Sequence, residues 1–141
     1  MLIAIAINII LVMLTVVIHY EVLYRLAITL PHQNLAPRYR ILTGVFVILL
    51  AHIVEIWLFA FAYYFMNSAS DFGTLTGNIQ QDFLSCVYFS FTTYTTLGYG
   101  DIQPSGHIRF VAGLESLTGL VMITWSASFL FLEMQKYWSK K

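Results

Sequence analysis

The sequence predicts an all-α integral membrane fold, with three spanning helices and one shorter re-entrant helix, and three observations lead to it. The 141-residue chain is 59% hydrophobic and only 10% charged, with a mean hydropathy of +0.76, more apolar than a water-soluble domain requires. Three apolar stretches reach the roughly 20 residues needed to cross a hydrocarbon core about 30 Å thick. A fourth is too short to cross and runs into glycine-containing backbone, which a membrane accepts only where protein buries it or where it lines a watery path.

The first stretch covers residues 2–20, and its helix is expected to continue toward Pro31. It lacks the basic leading segment and the small-residue cleavage site of a signal peptide, so it reads as a retained helix. The segment 31–37 holds Pro31 and Pro37, which interrupt a helix and mark a short connector outside the membrane. Residues 1–40 thus form an N-terminal spanning helix and its connector. Residues 41–135 form a second unit, with an outer helix at 41–66, a short helix and loop at 79–101 and an inner helix at 107–135. Residues 136–141 make a short tail.

Charge placement sets the expected orientation, because basic residues collect on the cytoplasmic side. Arg25, Arg38, Arg40, Lys136, Lys140 and Lys141 share one side of a three-crossing chain and Arg109 lies on the other. The N-terminus is therefore expected outside, the C-terminus in the cytoplasm, and the short loop enters from the outer face. Asp71, Asp82 and Asp101 share that face and would concentrate cations there. Tyr63 and Tyr64 outside, and Tyr20, Tyr24, Tyr137 and Trp138 inside, mark the interfaces.

Seven basic and seven acidic residues cancel, so charge points to no nucleic-acid partner. The single cysteine, Cys86, permits no internal disulfide and reads as a packed residue of the short helix. No Ser/His/Asp set, phosphate-cradling loop or spaced metal-ligand set is present, which argues against an enzyme.

The segment Thr95-Thr96-Leu97-Gly98-Tyr99-Gly100-Asp101 resembles the selectivity-filter signature of potassium channels, in particular the small prokaryotic channels built on a two-helix pore domain. The similarity extends over residues 82–131, with Pro104 three residues after Asp101 and Gly119 midway down the inner helix as further matches. It implies a homotetramer in the plasma (inner) membrane, in contact with lipid, because four loops must surround one ion path. It also implies K+ as the permeant ion, held by the carbonyls of Thr96, Leu97, Gly98 and Tyr99 and by the Thr96 hydroxyl.

Gly98 and Gly100 would supply left-handed backbone, with Asp101, Thr92 and Thr95 supporting the filter. Tyr99 would point away from the axis and brace it. Leu97 stands where Val or Ile is usual, and Thr92 where some relatives keep a glutamate. The additional first helix has no counterpart in the two-helix channels. Gly119 has two readings, a bend that opens a gate or close helix packing. Ile123, Ala127 and Phe131 follow it at four-residue spacing and would line the cavity and inner constriction.

Ionisable groups within spanning stretches are expensive and usually face protein or water. Glu115 is expected to reach the short helix near Thr92 or Thr93 and support the filter from behind. His52 and Glu55 lie three residues apart on the second helix, as a pair with each other or with the first helix. They would act either as a pH-sensitive element or as a static contact. Asn8 is a candidate for a bond between helices. A non-selective cation channel and a non-conducting accessory subunit of another channel are the competing functions. No arginine-studded helix suggests a voltage sensor, and the tail is too short for a small-molecule ligand domain.

Overall fold

The computed structural model describes residues 2–32, 34–69, 71–80 and 82–138. Lys140 and Lys141, and the side chains of Tyr137 and Trp138, which entered the orientation reading above, lie outside what it describes. The chain is all-α but for one small ribbon: α1 at Leu2–Thr29, α2 at Pro37–Ser68, β1 at Leu75–Gly77, α3 at Phe83–Tyr94, β2 at Ile102–Pro104 and α4 at Ile108–Trp138. Among the described residues, segments 2–32, 37–68 and 108–136 are the three helices long and apolar enough to cross a membrane.

The connector is tighter than its two prolines indicate. Pro31 sits within a single 3-10 turn, Leu30–His32, and Pro37 opens α2 as its first helical residue. That position suits proline, whose fixed φ matches the helix and whose missing N–H would have had no partner in the first turn. The outer helix accordingly begins at Pro37 and not at residue 41.

The short helix α3 sits between α2 and α4, while α1 packs on the far side of both. Phe59, Tyr63, Cys86, Phe89, Tyr94, Val111 and Met122 form the main core around α3, and Leu23, Leu26, Leu30 and Ile48 form a second one between α1 and α2. In lipid, apolar side chains gain little by leaving one apolar surrounding for another. Such helices are held by close contact and by buried hydrogen bonds. Asn8 does not bridge helices: its amide donates to Ala4 O of its own helix at 3.0 Å.

The polar stretch after α2 contains structure that the sequence pattern did not announce. Leu75, Thr76 and Gly77 pair antiparallel with Pro104, Gln103 and Ile102, while Asn78 N–H donates to Asp101 O at 2.8 Å. Gly77 has φ +104°, and a Cβ there would stand 2.2 Å from Asp101 O, so only glycine fits this crossing. The ribbon fastens the loop after α2 to the backbone that follows α3.

Candidate functional site

The site is built around α3 and the loop that leaves its C-terminus. Asp82 caps the N-terminus, accepting from Ser85 N–H at 2.9 Å. This interaction with Ser85 holds the exposed Asp82 carboxyl below its ordinary range. At the other end the chain folds back on the helix: Thr96 N–H donates to Thr93 O at 3.0 Å and Gly98 N–H to Thr92 O at 3.1 Å. A helix C-terminus has a partial negative charge, so α3 directs cation-attracting carbonyls toward the start of this loop.

Within the loop the backbone alternates. Thr96 has φ 60°, Gly98 52° and Gly100 80°, whereas Leu97 and Tyr99 are not in the positive region. Glycine accepts this readily, but a β-branched residue does not, and Thr96 in the left-handed region stores strain of about 1–3 kcal/mol. Sequence reasoning assigned the left-handed role to the two glycines and missed Thr96. Leu97 and Tyr99 are 61% and 68% exposed in the single chain, and nothing lies within 4 Å of a Cβ placed on Gly98 or Gly100. At the outer end Tyr88 of α3 donates its hydroxyl to Asp101 Oδ2 at 2.9 Å. Thr95 hydroxyl donates back to Phe91 O at 2.6 Å, and the buried Thr92 hydroxyl to Phe89 O at 2.9 Å.

Two buried carboxylates stand behind the loop. Glu115 of α4, fully buried, accepts from Tyr63 of α2 and from Ser90 of α3. Ser90 also lies 2.8 Å from Ile56 O. Glu115 therefore reaches α3 as expected but at Ser90, not at Thr92 or Thr93. Its neighbour Ser116 meets that part of the helix, donating to Thr93 O at 3.1 Å. Ser90 and Thr93 share one face of α3, and consecutive residues of α4 take one each.

The second carboxylate is Glu55. It bonds His52 Nδ1 at 3.1 Å through Oε2 and His19 Nδ1 at 2.9 Å through Oε1, and it accepts from the Tyr94 hydroxyl. Ser126 Oγ of α4 lies 3.1 Å from His19 Nε2 and 3.2 Å from His52 Nε2. Both partners anticipated for Glu55 are thus present together. His19, Tyr94 and Ser126 were not singled out, because contacts spanning such sequence separations leave no local pattern. The nitrogens of the two histidines and a Glu55 oxygen lie within 4.8 Å of one another, a donor set that sequence spacing alone did not reveal.

Gly119 is buried against the last residue of α3: a Cβ there would meet Tyr94 O at 2.2 Å. Close packing alone accounts for this glycine. Ile123, Ala127 and Phe131 are all exposed in the single chain, whereas Gly119 is buried. Ile123 and Ala127 line a cavity of about 550 Å³ with His52, Tyr94 and Ser126. Glu133, nearly buried, pairs with Lys136, a contact not foreseen.

Three spanning helices around a short helix that ends in an exposed, alternating loop define an integral membrane protein with the build of a pore former. The chain belongs to the ion channel family, whose model matches residues 51–136. The match takes in most of α2, all of α3 and the loop, and α4 up to Lys136, and it leaves out α1. This is a family of channels and not of enzymes. Comparison with curated proteins and with solved structures gives no match.

Proposed function

We propose that the chain is the subunit of a potassium-selective channel, four copies of which surround one axis. The observation that carries this reading is the alternation of backbone handedness along the Thr96–Gly100 loop. Reversing the handedness at every second residue turns successive peptide planes so that their carbonyls face one side. Four such loops stack rings of oxygens able to replace the shell of about eight that a hydrated K+ gives up. Thr96, Leu97, Gly98 and Tyr99 supply the carbonyls, and the Thr96 hydroxyl adds the innermost ligand.

Exposure of Leu97 and Tyr99 supports the same reading. Apolar and aromatic side chains this accessible beside a buried core find cover when neighbouring copies close around them. Tyr99 then braces the filter from outside, with Leu97 also directed away from the ions. The distribution of basic residues favours a cytoplasmic connector after α1 and a cytoplasmic C-terminus, which would set Asp71, Asp82 and Asp101 around the outer mouth.

The test is the reversal potential of purified protein in planar bilayers under opposed K+ and Na+ gradients, with Ba2+ as blocker. The expected result is a reversal near the K+ equilibrium value that is lost in Gly98→Ala, where an L side chain opposes φ 52°. Comparable Na+ permeability would make it a non-selective cation channel. No current from an intact tetramer would point to an accessory subunit.

A further inference from the structure

We propose that His19, His52 and Glu55 form a binding site for a divalent transition-metal ion of the zinc class, which staples α1 to the outer helix directly behind α3. The site requires nothing of the permeant ion and stands or falls independently of selectivity.

The donors are of the right kind and have converged. Two imidazole nitrogens and a carboxylate are the ligands that Zn2+ takes from proteins, and bonds of about 2.0–2.2 Å set neighbouring ligand atoms roughly 3–3.5 Å apart. Here His19 Nδ1 stands 2.9 Å from Glu55 Oε1 and His52 Nδ1 3.1 Å from Glu55 Oε2. All three donors lie within 4.8 Å of one another. The Tyr94 hydroxyl, 3.1 Å from His52 Nδ1, offers an oxygen as fourth ligand. His19 and Glu55 are fully buried and His52 is part-buried, so the donors are largely withdrawn from water.

Hydrogen counting gives a second, independent argument. With both Nδ1–H groups donating to Glu55, both Nε2 atoms are bare lone pairs, and both face Ser126 Oγ, at 3.1 and 3.2 Å. A serine hydroxyl has one hydrogen and two lone pairs. It can serve one nitrogen, and turning His52 to its Nε2–H tautomer relieves the serine only by setting a bare Nδ1 3.1 Å from Glu55 Oε2. A positive charge on the cluster thus satisfies what the neutral rings leave opposed. A cation held by the two Nδ1 lone pairs resolves this. The ring hydrogens then sit on Nε2, and the serine oxygen accepts both. Metal-binding histidines are oriented in this way, through the second nitrogen to an acceptor beyond the ligand shell. The ion also compensates the charge of Glu55 in a part of the membrane where an unpaired carboxylate is costly. The cavity lined by His52, Tyr94 and Ser126 gives access.

The experiment uses the full chain in detergent. After chelation and dialysis, zinc is added back and the bound metal is measured by mass spectrometry. Cobalt(II) is titrated in parallel for the visible absorption of a tetrahedral site. The expected result is about one ion per chain, a thermal midpoint raised by zinc and lowered by chelator, and a tetrahedral cobalt spectrum. Ser126→Ala keeps every ligand and should bind about 10–100-fold more weakly, whereas His19→Ala should lose the ion. Substoichiometric metal in folded wild type would overturn the proposal. So would zinc retained by His19→Ala, which places it on other histidines such as the exposed His32, or a thermal midpoint that follows pH but ignores zinc and chelator.

Discussion

Replacing Gly119 by alanine separates two accounts of why a glycine stands inside α4. By helix propensity alone the change should help, since alanine is favoured over glycine by about 1 kcal/mol in a helix interior. The packing says otherwise. The new Cβ would lie 2.2 Å from the Tyr94 carbonyl oxygen and 2.9 Å from its ring, where ordinary contact begins near 3.4 Å. Relieving the clash requires α3 and α4 to part by roughly 1 Å at the residue that leads into the loop after α3. Overpacking of this kind costs about 1–3 kcal/mol. Allowing for the gain in propensity, the variant should be less stable by up to about 2 kcal/mol, a fall of up to roughly 8 °C in thermal midpoint.

Gly113 on the same helix is the control, because a Cβ there meets nothing within 4 Å. Gly113→Ala should be neutral or slightly stabilising. The assay is thermal unfolding of detergent-solubilised protein, followed by the loss of its size-exclusion peak, for wild type and both variants. If Gly119→Ala melts with or above the wild type, the close approach of Tyr94 is not what requires glycine, and a bending role becomes the account to pursue.

Three further outcomes follow from the buried contacts and the cap. Ser90→Ala removes one of the donors to Glu115 and should destabilise the protein by about 1–3 kcal/mol, the cost of a buried acceptor left short. An unchanged denaturation midpoint would contradict the arrangement, and Glu115→Gln should lower that midpoint for the same reason. The Asp82 carboxyl is held below its ordinary value by its bonds to Ser85, so the cap is fully present above the unfolded carboxyl's pKa and is lost as pH falls through the lowered folded value. Wild-type melting curves should show this loss only at strongly acid pH, and Asp82→Asn should flatten it.

The spans were legible because membranes impose a length and a composition, and few sequences satisfy both by accident. The short helix was legible because it fails that length while sharing the composition. The β1–β2 ribbon was not: three-residue strands such as Leu75–Gly77 are too short to display alternation. At the site, His52 and Glu55 could be paired on paper because they lie on adjacent turns of one helix, but His19 arrives from another. Glu115 was read correctly as reaching α3, and misplaced on it, because sequence fixes the face of a helix better than its axial position. Ile123, Ala127 and Phe131, spaced by four from Gly119, share exposure in the single chain, but a four-residue step drifts from the 3.6-residue turn, so spacing alone does not carry the burial of Gly119 along the series.

The β1–β2 ribbon has a consequence for association. The loop's inner end is tied back to Thr92 and Thr93, and its outer end is held by the ribbon and by Asn78. A free segment of this length would lose about 1–2 kcal/mol per residue in backbone freedom on being fixed, and that loss would oppose the meeting of copies. Tethered at both ends within its own chain, the loop has given up most of that freedom beforehand. In the proposed tetramer, contacts between copies would then go into holding them together, with little left to spend on ordering the loop.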